Sequence, residues 1–334
     1  MEASTVLQSS ILSLLFEYQI EKIVSMIQDF IEINHAVNET HFDYCPICLT
    51  PYPSLVKAGC TKAGKQMLKC KSCGHRFVMD RGQITYYSHQ TQDKWNDLIT
   101  DSQNGISLKD SAAKLKINEC TVFRMRHKFL HFLQVLTDHN VVKLQVELDE
   151  KYVPCSHKGT KMENVKGKKR GTPARKRGIS DEQVCLLTAV DRTESAYLKA
   201  FNMARPTNED IDHLKAHIQA GSFVWVDGLQ SYRHLLEECQ CPYKVVKDKN
   251  EYDAVNHLNN VNSFHGKIEQ QYTRYRGVAS KYINRYAALF VTQKKYAGKT
   301  SKEALLEIMK QLRSIQQYFY IRQITSEDTF DLAF

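Results

Sequence analysis

The chain has 334 residues, 42 % of them apolar, and a net charge of +9. That length exceeds one ordinary domain and the apolar share can fill real cores, so two or three compact units are expected. No run of eighteen apolar residues occurs, which argues against a membrane-spanning helix. Ten cysteines without an export signal read as ligands or buried thiols of a reducing compartment, cytoplasmic in a prokaryote and nuclear in a eukaryote, and not as secreted disulfides.

Residues 1–40 open the chain with Ile11, Leu14, Leu15, Ile20, Ile23 and Val24 at helix-like intervals. Glu17, Glu21 and Lys22 interrupt the apolar run, so the segment reads as an amphipathic helix and not as a signal peptide.

Residues 41–80 carry two CxxC pairs, Cys45-Pro-Ile-Cys48 and Cys70-Lys-Ser-Cys73, separated by twenty-one residues. Two intervening residues let both thiolates of a pair point at one centre, and four thiolates complete the tetrahedral shell of a structural Zn2+. The spacing predicts a zinc ribbon, with Gly74 in the positive-φ position of the second knuckle and His75–Val78 starting a ribbon strand. A ribbon this small depends on its metal for folding. Cys60 between the knuckles is read as a spare thiol.

Residues 90–138 read as a three-helix, helix-turn-helix unit. Thr91–Ile99 forms a helix around Trp95. Ser107 caps a second helix over Leu108–Lys116, Ile117-Asn118 makes the turn, and a third helix starts at Glu119 and runs through Leu133. Val122, Met125, Phe129 and Phe132 recur at helical spacing and turn inward. Thr121, Arg124, Arg126, His127 and Lys128 are then expected on an outward cationic face for a DNA major groove.

From residue 142 to 298 strand and helix patterns alternate. LQVELDEKYV (144–153) alternates as a strand, with Glu147 and Asp149 on one face and Glu150 on the other. Further strands are expected at Gln183–Val190, Ala196–Met203, Ser222–Val226 and Tyr243–Val246, with helices near Asn208, over Tyr232–Glu238 and around 257–265. In a mixed sheet of this order the first and fourth strands are neighbours, so Asp149 and Asp227 converge. Two carboxylates and a third oxygen ligand suit hard divalent metals in two-metal phosphodiester chemistry. Within this region residues 155–182 form a basic loop, whose stretch 158–177 holds nine Lys or Arg and one Glu. Such a segment is the electrostatic footprint of phosphate binding. A polar helical tail fills 299–334. The fold class is therefore α+β multidomain: zinc ribbon, helix-turn-helix, and a ribonuclease-H-like mixed α/β domain.

LDEKYV, the loop ending in Arg177-Gly178-Ile179-Ser180-Asp-Glu-Gln-Val, VDGLQSY, and HLNNVNSFHGKIEQ…YRGVASKYINRYAALF resemble insertion-sequence transposases of the ISXO2-like group, over roughly residues 10 to 295. The resemblance implies a DDE-type core with Asp149 and Asp227 as ligands of Mg2+ or Mn2+ and Asn262 as the third catalytic residue. The family's Lys falls at Glu269 here. Either Lys267 takes the phosphate-facing role, or Glu269, on the same helix face as Asn262, supplies a carboxylate. Lys168, Lys169, Arg170, Arg175, Lys176 and Arg177 would join Thr121, Arg124, Arg126 and Lys128 in holding DNA. The resemblance thus implies a DNA transposase that binds terminal repeats and cuts and joins strands as a dimer or higher oligomer on double-stranded DNA. A transposase-derived DNA-binding regulator, or a nuclease of the same fold, is the alternative.

Overall fold

The computed structural model describes residues 42–159, 178–247, 252–315 and 319–326, except positions 63, 229, 276 and 277, together with residues 23, 24, 27 and 176. Most of the helix expected over 1–40 lies outside the described residues. So do Lys168, Lys169, Arg170, Arg175 and Arg177 of the basic loop. The chain divides into two compact units, residues 1–86 with 302–318, and residues 87–301 with 319–334. Among the described residues no helix is long and apolar enough to cross a membrane.

The first unit contains a three-stranded antiparallel sheet, β1 (Leu55–Cys60), β2 (Gln66–Cys70) and β3 (Arg76–Val78), in the order β1-β2-β3. Its core is small. Phe42 and Phe77 pack edge to face with centroids 5.3 Å apart, beside the buried Cys45 and Cys70. Helix Ser301–Ser314 belongs to the same unit.

The second unit begins with three helices, α1 (Gln92–Gln103), α2 (Leu108–Leu115) and α3 (Glu119–Thr137). Ser107 caps α2 by accepting the Asp110 amide at 3.2 Å. Lys116 ends the helix in the left-handed region, and Asn118 caps α3 by accepting the Cys120 amide at 2.8 Å. The turn at 117–118 thus has a local cause at each end.

A five-stranded mixed sheet follows: β4 (Gln145–Pro154), β5 (Gln183–Asp191), β6 (Ala196–Met203), β7 (Phe223–Val226) and β8 (Tyr243–Val245), ordered β6-β5-β4-β7-β8. β4, β5 and β6 form an antiparallel meander, while β7 and β8 join parallel to β4. Helices α4 (Asn208–Asp212), α5 (Gln230–Glu238), α6 (Asn259–Arg274) and α7 (Ile283–Lys295) complete the unit.

Pleat parity sorts the two sheet faces. Val146 and Leu148 of β4, with Val224 and Val226 of β7, join Ile211, Tyr232 and Leu235 in one apolar core. Glu147, Asp149 and Trp225 are offset by one residue from that set and turn toward the opposite face, which α6 covers. Along the edge strand β6, Asn284 of α7 accepts the Ala200 amide at 2.7 Å and donates to the Ala200 carbonyl at 3.1 Å. A side-chain amide so occupies main-chain groups that an open edge would offer to another strand.

Candidate active site

β4 and β7 pair in parallel with Leu148 opposite Val226, so the next residue on each strand, Asp149 and Asp227, stands on the same side at the same level. One carboxylate oxygen from each of Asp149, Glu150 and Asp227 lies within 4.8 Å of the others. Asp149 folds back, its Oδ1 accepting the Glu150 amide at 2.9 Å. β4 runs six residues beyond its last pairing with β7, which lets Glu150, whose side chain leaves from the Tyr232 side of the sheet, reach the same corner. Burial, then the charges of Asp227 and Asp149, push the Glu150 carboxyl up to about 7 against the pull of the facing Tyr232 hydroxyl. Three acidic groups this close, all oxygen donors, form the kind of site that hard divalent cations occupy.

Asp227 is followed by Gly228 at φ +113°, in the left-handed half of backbone space. A Cβ at that position would meet Lys247 Cε at 3.1 Å and Val245 Cγ1 at 3.3 Å. Only glycine lets the chain turn this tightly beside β8 while leaving Asp227 at the strand end.

α6 runs along β4 and is held to it at three levels. Glu147, fully buried, accepts the backbone amides of Asn260 at 2.8 Å and Val261 at 3.0 Å and the Asn260 side chain at 2.7 Å. Leu258 offers the helix no side-chain cap, so a carboxylate from another strand satisfies its first-turn amides and its positive end. Arg192 pairs with Glu147 at 3.1 Å and lies over the Trp225 ring at 3.8 Å. His257 approaches Glu147 at 3.4 Å. At the next level His265 contacts Thr188 Oγ1 at 2.8 Å and approaches Asp149 at 3.5 Å. At the third, Glu269 pairs with Lys151 at 3.1 Å.

Asn262 is exposed on α6, one turn before His265 and on the side that flanks Asp149. Lys267 is exposed and off that stripe. Glu269 stands outside the acidic cluster and is engaged by Lys151 instead. Glu150 enters the cluster from the face opposite Asp149, although strand alternation alone sets it apart. Glu147 and Arg192 went unassigned to any site in the sequence. The uncapped Asn259-Asn260 start of α6, with an acid on the inward face of β4, is the signal that would have paired them.

In the first unit one Sγ from each of Cys45, Cys48, Cys70 and Cys73 lies within 4.8 Å of the others, and Cys45 and Cys73 are 3.9 Å apart. A tetrahedral centre with Zn–S of about 2.3 Å places its sulfurs roughly 3.8 Å apart, which this set fits. Hydrogen bonds from the Thr50 hydroxyl and amide pull Cys48 down to about 6. Cys60 is exposed and outside the group. Each knuckle carries a left-handed residue just after its second cysteine, Gly74 at φ +73° as expected and Leu49 at φ +59°.

The outward cationic face expected on α3 needs correction. Arg126, His127 and Lys128 are only 0, 5 and 5 % exposed. The reason is that α1, α2 and α7 all pack against α3 in the same unit and together cover that side. Arg126 donates to Ser111 Oγ at 3.2 Å, and Lys128 Nζ lies 5.9 Å from the Trp95 ring centre. Arg124 remains exposed and Thr121 partly so. Lys176 is bonded to Asp181 at 2.8 Å.

Residues 142–292 match the ISXO2-like transposase domain family. An uncharacterized protein in transposable element ISH50 of Halobacterium salinarum is 27 % identical over 280 residues, covering 80 % of this chain and 90 % of the relative. Among solved structures, a pre-cleavage Mos1 transpososome aligns with a TM-score of 0.28 at 13 % identity, over 69 % of this chain and 80 % of the other. The Mos1 strand transfer complex aligns with 0.29 at 13 % identity, over 69 % and 79 %.

Proposed function

We propose, from the match of residues 142–292 to the ISXO2-like transposase domain family, that the protein binds the ends of a mobile DNA element and cuts and rejoins DNA strands. The observation that carries this reading is the parallel β4–β7 pairing that brings Asp149, Asp227 and Glu150 to one corner of the sheet. The second unit is read as a ribonuclease-H-like core preceded by a helix-turn-helix, and the first as a zinc ribbon whose Cys45, Cys48, Cys70 and Cys73 hold a structural Zn2+. Four protein thiolates leave such a metal no open position, so the ribbon's part is recognition and not chemistry.

Asp149 and Asp227 would hold divalent cations, Mg2+ or Mn2+, with Glu150 as a further oxygen donor. Ions held by these carboxylates would supply activation of an attacking oxygen and charge stabilisation for the leaving one at phosphorus. Asn262 on α6 overlooks the same corner and positions the scissile phosphate. Glu147 and Arg192 act as positioning residues, because they set the level of α6 on β4. Glu269 is occupied by Lys151 and Lys267 lies off the stripe that flanks Asp149, so Lys151 is the cation we assign to a phosphate-facing role. Arg124, Thr121 and the basic loop residues Lys168, Lys169, Arg170, Arg175, Lys176 and Arg177 contact the DNA backbone. Acting on two element ends requires two protomers.

The test is cleavage and strand transfer on DNA carrying the element's own ends, with Mg2+ or Mn2+. Asp149→Asn and Asp227→Asn should each lower the rate by at least about 10³-fold while leaving DNA binding in place. Wild-type protein that binds the ends tightly and never nicks them with either metal would refute the enzyme and favour a DNA-binding regulator. Nicking without joining would favour a nuclease.

A further inference from the structure

Within the second unit, α2, α3, Tyr275 and residues 278–286 line a half-open cavity of about 630 Å³ that belongs to none of the sites above. Its volume falls within the range of roughly 300–1,000 Å³ that holds a small organic ligand. Arg126 lines it. This guanidinium is fully buried beneath the lining, where Nη2 donates to Ser111 at 3.2 Å and the Tyr286 hydroxyl stands beside it.

The walls are aromatic. Phe123 and His127 have centroids 4.2 Å apart, His127 and Tyr282 4.4 Å, and Tyr275 and Tyr286 5.3 Å. Burial, then the charges of Arg285, Arg126 and Lys281, push His127 down to about 3, so its ring is neutral near pH 7. At the rim, Lys109 and Lys158 are exposed and Lys281 is partly so; Asp110 and Glu119 are the acids that face them. Rings that stack on any base and cations at the mouth that suit a phosphodiester describe one kind of ligand.

We propose that this cavity takes a single unpaired nucleotide of a DNA strand, its base among Phe123, Tyr275 and Tyr282, and its phosphate at Lys109, Lys158 and Lys281. The inference rests on the DNA-handling reading and adds to it a pocket that holds a strand locally out of the duplex, which costs base stacking that the rings return.

The test uses zinc-replete full-length protein and 2-aminopurine deoxynucleoside 5′-monophosphate, whose fluorescence is quenched by stacking. Saturable quenching is expected, reversed by unlabelled dAMP and not by the same concentration of inorganic phosphate. Tyr282→Ala, and separately the double variant Lys158→Ala/Lys281→Ala, should each weaken binding by about tenfold. Both variants keep the buried Arg126, and circular dichroism checks their folding. Absence of quenching, equal displacement by phosphate, or wild-type affinity in both folded variants would overturn the proposal. Asp149→Asn should bind the nucleotide as wild type does. Strand cleavage without nucleotide binding therefore removes the pocket alone, and nucleotide binding without strand cleavage upholds the pocket while removing the transposase reading.

Discussion

Glu147 shows how much one buried charge can organise. With no exposure, it engages Arg192 and three N–H groups at the start of α6, and its desolvation is repaid only while all of them are present. Replacing it with alanine strands Arg192 on the face of Trp225 and leaves the first turn of α6 without an acceptor. Glu147→Ala is expected to destabilise the second unit by about 3–5 kcal/mol, read from urea unfolding. Glu147→Gln keeps an acceptor for the amides and should lose less. An alanine variant within about 1 kcal/mol of wild type would mean that α6 is anchored by its apolar residues Val261, Phe264 and Ile268 alone.

At the scale of the element, the two cysteine knuckles make a matched pair with unmatched residues. Both need a left-handed residue after the second cysteine, and the chain supplies glycine at 74 but leucine at 49. An L-residue in that region costs about 1 kcal/mol, and nothing lies within 4 Å of a Cβ built on Gly74, so backbone strain is the only term there. Leu49→Gly should hold the proposed Zn2+ more tightly and Gly74→Ala less tightly, each by roughly fivefold against a chelator. Shifts of the same sign would break the argument. A second element, α6, derives its function from register: Asn260 sits at Glu147, His265 at Asp149, and Glu269 at Lys151, as a helix rising alongside a strand must.

For the whole molecule, charge is the organising quantity. Residues 158–177 carry +8 of the net +9, so the remaining chain is near neutral and long-range attraction for the proposed DNA partner would reside mainly in one stretch. Binding should weaken steeply as salt rises. Deleting residues 160–175, which contain six Lys or Arg, should flatten the slope of log K against log salt by up to about 5. An unchanged slope would place the phosphate contacts elsewhere. The burial of Arg126 and Lys128 fits this concentration of charge, since two cations of α3 are withdrawn from the surface.

What could be read directly from the sequence was whatever depends on a few consecutive residues. Cysteine spacing located both knuckles, Ser107 and Asn118 located the caps of α2 and α3, and alternation located β4 to β8 within a residue or two. Even the adjacency of β4 and β7 was legible from element order. The tertiary structure decided everything that needs a partner distant in the chain. It put Glu150 into the acidic corner, because β4 outruns β7 and a side chain from the far face can reach around the free end. Glu147 became the cap of a helix 113 residues away. Arg126 and Lys128 disappeared among α1, α2 and α7, because helical periodicity shows which face of α3 is apolar but not whether other helices cover the polar one. Local geometry is set by neighbours along the chain. Burial and charge pairing are set by neighbours in space, and for this protein those decide which acids meet and which cations face solvent.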